Sequence, residues 1–215
     1  MSRVAPWIDA LVLRLSRHWL AFFILALALF VSLPVAAPVL AASGHDRAAG
    51  VIYFAYRATC HQLPHHSWFL FGPEWAYAWP EVQPYTDVDP EQPLLSFHSP
   101  LRTPELGYQI AFCQRDTAIW WSMFLTTVLL AGMMRRRTVS PLPFRYYAIA
   151  LIPIAVDGVT QLLGFRTSTP LLRTLTGALF GAATALLVIP YLALGFRDVE
   201  DLAGRAQDRR ESHGP

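Results

Sequence analysis

From residue 19 to residue 42 the chain runs for 24 residues without one ionisable side chain. As a helix rising about 1.5 Å per residue it reaches roughly 36 Å, more than the ~30 Å hydrocarbon core of a bilayer. The segment therefore reads as a first membrane span. Pro34 and Pro38 lie in its last third, where each removes a backbone donor and kinks or shortens the helix. A cleaved secretory signal is the rival reading, since Arg14 and Arg17 precede the run and Ala36, Ala37, Ala41 and Ala42 follow it. Signal cores of about 7–15 residues are shorter, which favours the span.

Composition points the same way. Hydrophobic residues make up 54% of the 215 and charged residues 15%, where soluble domains carry about 25% charge. All 17 basic residues are Arg and the net charge is only +2, so no basic surface for nucleic acid is expected. Three more apolar runs follow: 117–134; 146–165, interrupted by Asp157 and Gln161; and 171–196, with Arg173 near its start. A shorter stretch near 48–60 contains Arg57 and suits a helix at the interface. In residues 1–18, Trp7, Ile8, Leu11, Val12 and Leu15 share one helical face opposite Arg14 and Arg17, the pattern of an amphipathic helix on a membrane surface. The expected fold is thus an all-α integral membrane protein. It has four transmembrane helices, a short amphipathic N-terminal helix, a long Pro-rich extracytoplasmic loop over 43–116 and a tail over 197–215.

Arginine is retained on the cytoplasmic side of membranes, and acidic residues carry little weight there. Arg3, Arg14 and Arg17 precede the first span; Arg135, Arg136, Arg137 and Arg145 join the second and third; Arg197, Arg205, Arg209 and Arg210 lie in the tail. The 43–116 connection holds four Arg against eight acids. Both termini are expected in the cytoplasm of a multi-pass cell-membrane protein, with the long connection outside.

That connection contains both cysteines and five of the seven histidines, so chemistry is sought there. Cys60, His61, His65 and His66 cluster before a linker from Pro73 to Pro104 with seven prolines, which reads as loop. Cys113 and Asp116 follow it, one helical turn apart. Two readings stay open. Facing an oxidising compartment, Cys60 and Cys113 form a disulfide worth about 4 kcal/mol on a chain-entropy argument. Alternatively, the two thiolates with His61, His65 or His66 and Asp116 supply a ligand set for a transition metal such as zinc. Unpaired thiols are the third case.

Within the spans, Asp157 is the costliest residue, about 2.5–3.5 kcal/mol on insertion scales unless it is paired or protonated. Gln161 lies one turn on, and Arg115, Arg166 and Arg173 fall at the same outer level, so an Asp157–Arg173 or Asp157–Arg115 pair is expected. Ion transport through Asp157 is the alternative. Gly177 and Gly181 form a GxxxG pattern that marks close helix packing or a face for a homo-oligomer or membrane partner.

The elements Cys60-His61-Gln62, Ser67-Trp68-Phe69 with Gly72, Cys113-Gln114-Arg115-Asp116-Thr117, Asp157-Gly158 with Gln161 and Gly164, and Arg173 with Gly177 together resemble a prokaryotic family. It is the predicted membrane proteins grouped as domain of unknown function 2085. The resemblance implies membrane location and an outer polar cluster; it supplies no reaction. Many members carry a further cysteine where this chain has Asp116, and their linker is shorter, so the resemblance implies a site here with fewer thiolates. With no HExxH, CxxC or nucleophile elbow, a non-catalytic accessory or metal- or redox-responsive protein is the first expectation. A thiol-redox or metal-dependent enzyme and a small ion or solute transporter are the alternatives.

Overall fold

The computed structural model describes residues 6–88 and 99–212; Arg3 and the middle of the proline-rich linker lie outside them. It is mostly helical, at 70% helix. The elements in chain order are α1 (Pro6–Ala42), α2 (Asp46–Tyr56), β1 (Ser67–Leu70), α3 (Trp79–Val82), β2 (Arg102–Thr103), β3 (Gly107–Cys113), α4 (Gln114–Met134), α5 (Phe144–Leu162) and α6 (Pro170–Ser212). Three of the helices, α1, α4 and α6, are long and apolar enough to cross a membrane. α5 is less apolar because Arg145, Asp157 and Gln161 interrupt its 19 residues.

The first helix is continuous. The surface helix expected over Pro6–Arg17 and the span expected from residue 19 are one rod of 37 residues, because nothing between them breaks a helix. Its Leu11, Val12 and Leu15 are exposed to the surroundings. Pro34 lies inside this helix and has no N–H for the carbonyl of Phe30. Tyr56 supplies the missing donor: its hydroxyl donates to the Phe30 carbonyl at 2.7 Å, which ties α2 to α1. The same device recurs in α6, where Pro190 frees the Leu186 carbonyl and the Leu142 N–H donates to it at 3.0 Å.

α6 continues for 43 residues, about 65 Å, and so runs past the expected end of its span at residue 196 into the arginine-rich tail. α5 stops at Leu162, short of residue 165; Gly164 follows with φ +73°, the left-handed conformation that commonly ends a helix. α4 and α6 pack along the closest seam in the molecule. A Cβ on Gly181 would lie 2.1 Å from the Ile119 carbonyl oxygen, and one on Gly177 would lie 2.8 Å from that of Arg115. The GxxxG face is therefore occupied by α4 within the same chain, and is not free for a second copy.

The all-α expectation needs one correction. The segment between α2 and α4 folds into a three-stranded antiparallel sheet of order β1-β3-β2, with Ser67 opposite Cys113, Phe69 opposite Gln109 and Arg102 opposite Tyr108. β3 runs straight into α4, so its seven residues Gly107–Cys113 carry no turn signal that would mark a strand off from the helix. Beneath the sheet, Tyr53, Tyr56, Phe112 and Ala37 form an aromatic core against α1 and α2. Phe69, Tyr77, Val82, Leu101 and Leu106 form a second small core.

Candidate functional site

The turn after α2 brings Cys60 back towards the sheet. Gln62 adopts φ +55°, a left-handed conformation rare for a residue with a side chain, and this bend aims Cys60 at the end of β3. Three buried glutamines then brace the cap. Gln62 Nε2 donates to the Tyr53 carbonyl at 2.8 Å, and Gln114 Nε2 donates to the Ser67 carbonyl at 3.1 Å. Gln109 accepts from the Leu101 N–H at 2.9 Å and donates to Ser67 Oγ at 3.1 Å. Tyr53 closes the frame by donating to the Gln109 carbonyl, and burial pushes its phenol well above the ordinary tyrosine range.

This frame holds Cys60 and Cys113 side by side as free thiols. The Cys113 N–H donates to Cys60 Sγ at 3.1 Å, and the Cys113 thiol donates to Asp116 Oδ2 at 3.2 Å. Cys113 also caps α4, its sulfur accepting the Asp116 N–H at 3.4 Å. The ligand atoms of Cys60, Cys113 and Asp116 lie within 4.8 Å of one another. The Cys60 thiol is pushed well up, first by its hydrogen bond with Cys113 and then by burial, so without an added cation it keeps its proton.

The histidines divide from this group. A single 3₁₀ turn over Pro64–His66 sets His65 edge-on to Trp79, with ring centroids 5.0 Å apart, and brings the tilted His66 ring within 3.9 Å of His65. His66 Nε2 lies 3.4 Å from Gln161 Nε2. Burial, His65 and the nearby Arg173 and Arg115 hold the His66 imidazole neutral, its pKa pushed down to about 2. His61 is exposed at the rim. All three nevertheless line one cavity of about 540 Å³ with both cysteines, Arg115, Asp116 and Gln161.

Below this cavity stands Asp157, 1% exposed. Arg115 donates to one of its oxygens and Arg166 to the other at 2.7 Å, while Ser168 adds a third bond at 3.0 Å. Arg115 also reaches Gln161 Oε1 at 3.3 Å, and Arg166 Nε donates to Thr160 Oγ1 at 3.0 Å. Arg173, an expected partner of Asp157, is not bonded to it; it is 3% exposed and lines a separate cavity. Ser67, Gln109 and Ser168 lie outside the residues expected to form the site, since isolated hydroxyl and amide side chains leave no spacing signature.

Comparison with known proteins agrees with the membrane reading. Across 140 residues, 65% of this chain and 67% of the other, the sequence is 27% identical to an uncharacterized protein of the archaeon Methanocaldococcus jannaschii. No solved structure matches. The sheet's last two strands, Cys113, Asp116, Asp157 and Arg173 all fall in the segment matched by a family, whereas Cys60 and the histidines precede it. Residues 101–187 match the family model described as "Predicted membrane protein (DUF2085)", the family that the motifs of this chain resemble.

Proposed function

We propose that this chain is a four-span membrane protein, with both termini cytoplasmic, whose outer face holds a non-catalytic transition-metal site. The thiolates of Cys60 and Cys113 and the carboxylate of Asp116 are its ligands, and His61 at the cavity rim or a water completes the set. The observation that carries this reading is the convergence of the three ligand atoms within 4.8 Å. Two thiolates on one zinc, each about 2.3 Å from the ion, sit roughly 3.8 Å apart, a spacing inside the 4.8 Å that bounds these three ligand atoms. Metal binding displaces the Cys60 proton, so it releases acid as it loads. Asp157 is saturated by Arg115, Arg166 and Ser168, which supports a structural part for it and weighs against a transport path.

The fourth span rests on α5. Its Ile149, Ile152, Val156, Val159 and Leu162 are more than half exposed, an apolar face that water would not favour and lipid would. The arginine distribution supports the orientation.

The test is metal analysis of the purified protein together with the mass shift on alkylation. One bound zinc or cobalt per chain, lost in Cys60→Ser and in Cys113→Ser, is the expected result. With cobalt, thiolate-to-metal absorption identifies the sulfur ligands. A Cys60–Cys113 disulfide with no bound metal overturns the site. For topology, Trp75→Cys and Arg136→Cys in a background lacking the native cysteines are labelled from outside and inside respectively; the reverse pattern overturns the orientation.

A further inference from the structure

Arg173 is the one buried charge in this layer with an unspent guanidinium. It is only 3% exposed, yet among the described residues its side chain makes no hydrogen bond and no ion pair. The neighbouring Asp157 cannot partner it, because both carboxylate oxygens are already taken. Arg173 lines a cavity of about 650 Å³ together with His66, Ser168, Thr169, Tyr77 and Trp79. Neither cysteine borders this cavity.

The rest of the wall has the same polarity. Thr169 stands at the start of the 43-residue α6, accepting the Leu172 N–H on its hydroxyl at 3.3 Å and the Arg173 N–H on its carbonyl. Pro170 has no N–H and those of Leu172 and Arg173 are taken, so the start of α6 adds partial positive charge to the cavity rather than a row of free donors. Arg115 and Arg166 both bond Asp157, so its carboxylate is committed to them and not to Arg173. The opposite wall is aromatic: Trp79 and Tyr77, flanked by Pro80 and Pro170.

We propose that this cavity binds a phosphate group, gripped by the Arg173 fork and the Thr169 hydroxyl at the start of α6, with an apolar portion of the ligand against Trp79. Phosphate is favoured over carboxylate because it offers enough acceptor oxygens to use several donors at once. Two sources share this chemistry, the headgroup of an anionic lipid and free inorganic phosphate. The proposal does not depend on the metal site, and loss of either leaves the other measurable.

The experiment titrates full-length protein in uncharged detergent with dihexanoyl phosphatidylglycerol, dihexanoyl phosphatidylcholine and inorganic phosphate, read by calorimetry. Saturable binding of phosphatidylglycerol is expected, weakened about tenfold or more in Arg173→Gln and less in Arg173→Lys, which keeps the charge but loses the fork. Trp79→Ala lowers lipid affinity and leaves inorganic phosphate affinity unchanged; it also serves if Arg173→Gln fails to fold. Equal affinity for inorganic phosphate and lipid, still lost in Arg173→Gln, supports the site with a soluble source. No saturable binding of either anion, or binding of both that neither Arg173→Gln nor Trp79→Ala changes, overturns it.

Discussion

Asp157 and Arg173 stand at the same level of the molecule, on neighbouring helices, each almost wholly buried and of opposite charge. Simple electrostatics would pair them. Instead Asp157 is bonded by Arg115, Arg166 and Ser168, whereas Arg173 turns to a cavity and bonds to no described side chain. A saturated buried charge has its energy committed to the fold, and removing it strands its partners. An unsaturated one has already incurred its desolvation, so it binds an anion with less further loss.

The largest expected effect follows from this difference. Asp157→Ala leaves the Arg115 guanidinium with only its longer bond to Gln161 and lowers stability by about 3–5 kcal/mol, read as thermal or denaturant unfolding in detergent. Arg173→Gln strands nothing and shifts stability by no more than about 1 kcal/mol. Among the partners, Arg115→Gln is the more damaging, because the Arg166 side chain is 38% exposed and its pair is worth about 0–1 kcal/mol. Equal losses from Asp157→Ala and Arg173→Gln would break the contrast between the two charges.

The next effect tests the frame that holds them apart. Arg115 is carried by α4 and Arg173 by α6, and the seam between these helices is closed at Gly181. A Cβ there would meet the Ile119 carbonyl oxygen and the Ser122 hydroxyl, so Gly181→Ala forces the helices apart at a loss of about 1–3 kcal/mol. Gly132, with nothing within 4 Å of its built Cβ, is the control: Gly132→Ala gains up to about 1 kcal/mol from helix propensity. A gain at both positions would mean that helix propensity, not the seam, governs α4 and α6.

Much of the helical framework is legible from residue runs alone. Ionisable-free stretches mark α1 and α4, and a carboxylate as deep in an apolar run as Asp157 demands a partner on desolvation grounds alone. The sheet is different. Gly107–Cys113 alternates too briefly before it becomes α4, and β1 is only four residues long, so pairing with distant segments, rather than local pattern, makes them strands. The cysteine convergence is readable as one of two alternatives, because Cys113 and Asp116 share a helical turn. The exclusion of His65 and His66 is not, since it depends on the 3₁₀ turn that faces them towards Trp79 and Gln161. Nor is the choice of Arg115 and Arg166 over Arg173, which is decided by the turn after α5.

His66 lies near Arg173 and Arg115, with its ring tilted against that of His65. Its pKa is about 2 in the folded protein against about 6.5 in an unfolded chain, so the unfolded chain takes up the proton first. Its contribution is therefore full above about pH 6.5 and is lost as pH falls towards 2, at about 1.4 kcal/mol for each pH unit. His66→Gln removes that one-proton slope from the acid side of the stability profile while changing stability at pH 8 much less. An identical acid slope in the variant would show that His66 titrates as freely folded as unfolded.

The smallest effect carries the logic of partnered and unpartnered groups to a neutral one. The Phe30 carbonyl is orphaned by Pro34 and rescued by the Tyr56 hydroxyl. Tyr56→Phe keeps the ring, which packs against Phe30 and Phe112, and deletes only the donor. The loss is that of one hydrogen bond in a partly buried site, about 1 kcal/mol. In a Pro34→Ala background the N–H of residue 34 is restored and can bond the same carbonyl within the helix, so Tyr56→Phe then has almost no effect. The difference between the two backgrounds is a coupling energy of about 1 kcal/mol between residues that do not touch covalently, assignable by a double-mutant cycle. Additive losses would mean that the Phe30 carbonyl finds another donor, and that the proline in α1 sets no requirement on α2.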